Sequence, residues 1–281
     1  MSLEQLAAWL VGSTTDPAGS GEHFPGPYGL QLYSLRHQMP GHVKPWLERV
    51  RRMGYQEVEA AGLDGLTAPE FHRALESAGM PCVGMHNAYA RYLHEMPTVI
   101  REAKTVGARY LVCPELPQSG PHLTMADVRR AARGFNHFAA QLERHHLRFA
   151  FHAEVNAFYP IAGRPGLDRL IALLHPNVLQ EMDIFWYKRG GQDPVAYLKR
   201  YPKLYRLMHL KDMRRGTPVG NFNVGTSDEA CVALGQGILY LRAILREAMR
   251  IGVRHYFVED ESREAPQNIV ADVKYLKTVR L

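Results

Sequence analysis

Alternation constrains this chain more than any other feature. From Tyr28 onward, short runs of apolar and β-branched residues alternate with longer stretches of helical period, and the cycle repeats eight times. The short runs are YGLQLYS (28–34), YQEVEAA (55–61), CVGMHN (82–87), RYLVCPE (109–115), RFAFHAE (148–154), VLQEMDI (178–184), YRLMHLK (205–211) and HYFVEDE (255–261). Each has the length of a buried strand. The intervening stretches carry apolar residues at spacings of three and four, such as Val43, Trp46, Leu47 and Val50, or Ile238, Leu241, Ile244, Leu245 and Met249. Thr67 before Ala68-Pro69, Thr124 before Asp127, and Asp193 before Pro194 have the form of helix starts. No Asn-Gly hairpin turn joins two short runs, so parallel pairing through helices is favoured. Eight strand–helix units in about 250 residues predict a single (β/α)8 barrel over residues 28–281. Residues 1–27 read as an N-terminal arm or linker, because residues 12–27 are rich in Gly, Ser, Pro and Thr.

The competing doubly wound sheet would bring a glycine-rich phosphate turn after its first strand if it bound a dinucleotide. None is present, and GQG at 235–237 is a lone match with no strand before it. A G-x-S-x-G elbow and a P-loop are also absent, which excludes the usual sequence routes to acyl and phosphoryl transfer. Basic residues number 34 against 28 acidic, a net charge of +6, but they are dispersed without interleaved aromatics. Nucleic acid is therefore not an expected partner. No apolar run reaches the ~18 residues of a membrane span. Cys82, Cys113 and Cys231 lie far apart with no C-x-x-C pair, and the first residues lack the pattern of a signal peptide. A cytoplasmic setting is the expectation.

Strand phase selects the candidate site. Inward residues should be Ala150, His152 and Glu154 in the fifth run, Leu179, Glu181 and Asp183 in the sixth, Leu207, His209 and Lys211 in the seventh, and His255, Phe257 and Glu259 in the eighth. The strand ends then deliver Glu154, Asp183, His209 and Glu259 to one volume. Two Glu, one Asp and one His suit a divalent cation such as Mn, Mg, Co or Zn. Taken singly, each has a simpler reading as a helix cap or a surface charge; their common depth is what points to a metal. In the first half, Gln31 and Tyr33 share a face, and Glu59, His86 and Glu115 close the second, third and fourth runs. These five are the expected substrate contacts, although His86 also reads as a core histidine and Glu115 as a turn charge. Trp186 reads equally as a sugar-stacking platform or as packing. Glu57 and Asp212 are expected to face the helices or solvent. The longest connection, 212–237, follows the seventh run. It is expected to cover the catalytic face and to offer Arg214, Arg215, Asn221, Asn223 and Ser227 to substrate.

The segments GLQLYSLR, GYQEVEAAG, QEMDIFWYKRGGQDPVAYLKRYP, LMHLKDM, GQG before a helix, and HYFVEDE resemble the sugar phosphate isomerase/epimerase family of xylose isomerase-like TIM barrels. The likeness runs from about residue 28 to the C-terminus. It implies a divalent metal at the barrel mouth, with Glu154, Asp183, His209 and Glu259 as the matching ligand positions, and chemistry on a small-molecule sugar or polyol. Many relatives carry His-Asn-His on strand five with a Glu three residues on; here the run is His152-Ala153-Glu154 and then Ala157. Either His152 or Glu154 is thus open as the strand-five ligand. The reaction expected is isomerisation or epimerisation through an enolate. Glu154 and Glu259 would act as proton-transfer groups, and Lys211, His152 and His86 would act as donors to the developing oxyanion. A lyase or dehydratase using the same enolate is the alternative, and a non-catalytic sugar-binding barrel is the third reading. A homo-oligomer is compatible with the sequence.

Overall fold

The computed structural model describes residues 21–220, 222 and 229–281. Eight parallel strands close into a barrel: β1 (Gly29–Gln31), β2 (Glu57–Ala60), β3 (Cys82–His86), β4 (Tyr110–Cys113), β5 (Arg148–His152), β6 (Leu179–Asp183), β7 (Tyr205–Leu210) and β8 (His255–Val258). β1 pairs with both β2 and β8, which closes the ring. All eight expected strands are present, and each ends before the apolar run does. Helices cover the outside: α1 (Val43–Met53), α2 (Ala68–Ala78), α3 (Tyr89–His94), α4 (Met96–Val106), α5 (Met125–Glu143), α6 (Gly166–Ile171), α7 (Ile184–Arg189), α8 (Pro194–Arg200), α9 (Leu241–Ile251) and α10 (Ala265–Thr278). Thr67 and Glu70 form a capping box at the start of α2, as Thr124 and Asp127 do at the start of α5. Asp193 caps α8 by accepting from the Val195 amide at 2.9 Å.

The two-residue strand period explains the interior. Tyr110, Val112, Ala150, Leu179, Leu207 and Phe257 form an apolar layer inside the barrel, separate from the larger core between strands and helices. Two residues further along β5 to β8 the same faces carry His152, Glu181, His209 and Glu259. The polar site thus rests on an apolar floor. Gly29 is needed there, since a Cβ on it would lie 2.5 Å from the Phe257 ring.

Glu57 and Asp212 do not face the helices or solvent as strand phase predicts. Glu57 shares the inner face of β2 with Glu59; it is buried, and His255 Nδ1 lies 3.0 Å from its Oε1. Asp212 is also buried, because the chain leaves the barrel after Lys211 and strand phase no longer applies. Its carboxylate accepts from the amides of Gly235 and Gly237 at 3.0 Å and of Leu239 at 3.1 Å. The GQG turn therefore holds a carboxylate of this chain rather than a phosphate. In the long connection, Asp212–Met213 pairs antiparallel with Cys231–Val232. Asn221, Asn223 and Ser227 lie outside the described residues. At the N-terminal side Phe24 is fully buried, and its amide donates to Val279 O at 2.8 Å. No helix among the described residues is long and apolar enough to cross a membrane.

Candidate active site

The C-terminal ends of the strands open into a cavity of about 540 Å³ lined by Tyr33, His86, Glu115, His152, Glu154, Trp186, Glu259 and Glu261, among others. Seven of the expected site residues are in that lining. The other five, Gln31, Glu59, Asp183, His209 and Lys211, are not in it and are buried. β1 stops at Gln31, and a 3₁₀ turn (Leu32–Leu35) swings Tyr33 outward to 42% exposure at the mouth. The shared face expected for Gln31 and Tyr33 is therefore lost. Gln31 instead donates from Nε2 to Glu59 Oε2 at 2.8 Å and accepts the Tyr33 amide at 3.1 Å.

His209 stands at the centre, with a different acidic set on each ring nitrogen. Nδ1 lies 3.1 Å from Glu259 Oε2 and 4.0 Å from Asp183 Oδ2. Nε2 lies 2.8 Å from Glu59 Oε2 and 3.3 Å from Glu181 Oε2. His86 Nε2 bridges the same two glutamates at 3.1 and 3.0 Å. Burial opposes charge on His86, but Glu59 and Glu181 outweigh it and raise the imidazole to about 10. His209 is raised in the same way against burial, by Glu181 and Glu259. Burial likewise opposes ionisation of Glu181, and His209 and His86 pull it well below the usual carboxylate range. In the neutral tautomer that keeps its proton on Nε2 and donates it to Glu59 or Glu181, the Nδ1 lone pair is directed toward Asp183 and Glu259.

Asp183 ends β6 and starts α7. Its Oδ1 accepts from the amides of Phe185 and Trp186 at 2.8 and 3.2 Å. Its Oδ2 is buried and has no hydrogen bond. Both ring nitrogens of buried His152 also lack partners, with Nε2 3.6 Å from Asp183 Oδ2. Such orphaned groups are costly to bury, so their convergence points to a ligand. One donor atom from each of His152, Asp183, His209 and Glu259 lies within 4.8 Å of the others. Two imidazoles and two carboxylates fit the donor preferences of a first-row divalent ion. They fit calcium poorly, since it takes six to eight oxygens.

Glu154 is not among those converging donors, contrary to the expectation from strand phase. β5 ends at His152, and Glu154 precedes a 3₁₀ turn, Val155–Phe158, so the alternation breaks at Ala153. The side chain lines the cavity instead. Burial pushes its carboxyl up, against the pull of His152 and Lys211. Lys211 lies 3.2 Å from Glu259 Oε2 and 3.6 Å from Asp183 Oδ2, bonds Glu261, and sits 5.0 Å over the Trp186 ring. Burial opposes its charge, but Glu259 and Glu261 keep its ammonium firmly protonated. In return, Lys211 and His209 overcome burial and hold Glu259 low. Two further acidic residues, Glu181 and Glu261, belong to the site without having been singled out by strand phase. Their signal was the same two-residue period, one step before Asp183 and one step after Glu259.

Fold and site define a parallel barrel with a polar, metal-competent mouth. A sequence profile described as xylose isomerase-like TIM barrel matches residues 47–279, and the chain belongs to that family. A sugar phosphate isomerase/epimerase from Parabacteroides distasonis superposes with a TM-score of 0.72 at 22% identity, covering 95% of this chain and 98% of that one. A 3-DHS dehydratase assigned to petrobactin synthesis in Bacillus anthracis gives 0.73 at 13% identity, covering 89% and 98%. A xylose isomerase-like barrel from Mycobacterium smegmatis in complex with magnesium gives 0.65 at 13%, covering 90% and 95%. Among curated protein sequences none matches significantly.

Proposed function

We propose that this chain is a divalent-metal-dependent enzyme that isomerises or epimerises a small sugar or sugar derivative through an enolate. The observation that carries the reading is Asp183. One oxygen is fixed by two backbone amides, while the other is buried, unbonded and turned toward His152 and Lys211. His152, Asp183, His209 and Glu259 would hold the ion. When bound, it supplies Lewis-acid polarisation of the substrate's carbonyl and hydroxyl oxygens.

The chain's own residues divide the remaining work. Glu154, raised by burial and facing the cavity, takes the proton from the carbon beside the carbonyl and returns it to the carbonyl carbon in isomerisation; in epimerisation Glu259, also in the lining, takes the proton on one face and Glu154 delivers one on the other. Glu259 stays ionised beside Lys211 and His209. Lys211 places an ammonium next to Asp183 and Glu259, where it opposes the build-up of negative charge. Tyr33, His86, Glu115 and Trp186 line the wall and offer a polyol both hydrogen bonds and an apolar face.

The test is solvent exchange with a panel of ketoses and aldoses in deuterated water. Wild type is expected to incorporate deuterium beside the carbonyl, and Glu154→Gln to lower that rate about 10²-fold. Asp183→Asn should lose tightly bound metal, read by elemental analysis. Hydrogen transferred intact from the neighbouring carbon in wild type, or full metal content in Asp183→Asn, overturns the reading. Elimination starts from the same proton, and the break in the strand-five pattern at Ala153 keeps a dehydratase as the second reading. Loss of water from the product mass selects it.

A further inference from the structure

We infer that a second cavity, lined by Arg189, Arg214 and Arg215, is an oxyanion site that receives a phosphoryl group carried by the substrate; this rests on the reading of the main cavity as a sugar site. The second cavity measures about 380 Å³ and is lined by Arg189, Arg214, Arg215, Gly216, Thr217, Pro218, Glu229 and Ala230. Three arginines and one glutamate are thus in its lining, with Arg214 Nε donating to Glu229 O at 2.5 Å.

Arg189 is the decisive residue. It is only 5% exposed, yet no carboxylate among the described residues lies within ion-pair distance of it. Its Nη1 donates to Pro218 O at 2.7 Å, and its Nε is buried with no partner. Burial pushes its guanidinium down with no opposing acid. A buried cation satisfied by one backbone carbonyl is unfavourable unless an anion completes it. A planar fork of N–H donors matches phosphate oxygens in particular.

Position links the two cavities. Arg189 is three residues beyond Trp186 on α7, a rise of about 4.5 Å along the helix axis, and Trp186 lines the main cavity. The far wall is the connection after β7, which docks on the end of α7 through Pro218 O and through the Gly220 amide, 2.8 Å from Arg189 O. Arg214 and Arg215 are exposed on that connection. A sugar in the main cavity would therefore direct a terminal phosphoryl group past Trp186 toward three arginines.

The test is isothermal titration of the full-length, metal-loaded protein with inorganic phosphate, then with fructose and fructose 6-phosphate. Wild type should bind one phosphate per chain, and Arg189→Met and Arg214→Ala should each weaken it at least tenfold. Arg214 is exposed, so its variant keeps the test open if Arg189→Met fails to fold. Fructose 6-phosphate should bind tighter than fructose, compete with phosphate, and lose its advantage in Arg214→Ala. No saturable phosphate binding, or equal affinity in wild type and Arg214→Ala, overturns the site. Phosphate binding that is independent of fructose 6-phosphate overturns its role in substrate recognition and leaves a free-anion site. Failure of deuterium exchange with phosphate binding intact would count against the enolate reading alone.

Discussion

Replacing Gly84 with alanine tests the buried network under the site without touching any of its polar groups. Gly84 faces inward on β3 beside Glu59 of β2. A Cβ there would fall inside contact distance of Glu59 Oε1 and 3.1 Å from its Cδ and Cγ. Glu59 is fully buried and held by Gln31 Nε2 and His209 Nε2, both at 2.8 Å, so it has no solvent to retreat into. Moving it breaks two hydrogen bonds to a carboxylate, each worth about 1.5–3 kcal/mol. The lower entropy of an unfolded alanine returns about 0.4–1 kcal/mol. A net loss of about 3 kcal/mol follows, which lowers Tm by roughly 6–12 °C for a chain of this size. Thermal unfolding in chelator, followed by circular dichroism, reads it without a metal contribution. The control is a double-mutant cycle with Glu59→Ala, in which the added methyl gains space and the Gly84→Ala cost should nearly vanish. A Tm within about 1 °C of wild type for Gly84→Ala would refute the reasoning.

Two further changes test other parts of the framework. Thr124→Ala removes the Oγ1 acceptor of the Asp127 amide at the start of α5. It should cost about 1 kcal/mol, a fall in Tm of about 2–4 °C that Thr124→Ser restores. Asp272 accepts the Leu234 amide at 2.7 Å, and burial raises its carboxyl from 3.8 to about 8. A raised carboxyl favours the protonated folded state, so its penalty grows as pH climbs above 3.8 and levels off beyond about 8. Asp272→Asn keeps the acceptor and should stabilise the protein more at pH 8.5 than at pH 5; an equal or smaller gain at pH 8.5 contradicts the burial argument.

What the amino-acid order determined by itself is the barrel and the depth of its polar layer. Eight alternations and the matching helix faces are local patterns, and Thr67, Thr124 and Asp193 mark helix starts through contacts within three residues. A strand's two-residue period also brings Asp183, His209 and Glu259 to one end of the barrel, with Glu154 or His152 from the fifth strand. What only the tertiary structure decided is where each strand stops and what faces each side chain. β1 ends at Gln31 and β5 at His152, so Tyr33 and Glu154 leave the phase that a longer strand would have imposed. Those ends depend on pairing with neighbouring strands, which no single run encodes. Glu57 and His255 meet across the barrel, as do Glu59 and His209, at separations of 198 and 150 residues. Charge state follows from the same encounters. Glu154 and Glu259 are chemically identical, and the first is raised by burial while the second is held low by Lys211 and His209. Period and propensity act over a few residues, whereas burial and opposing charge are properties of the assembled barrel, and these separate the two glutamates.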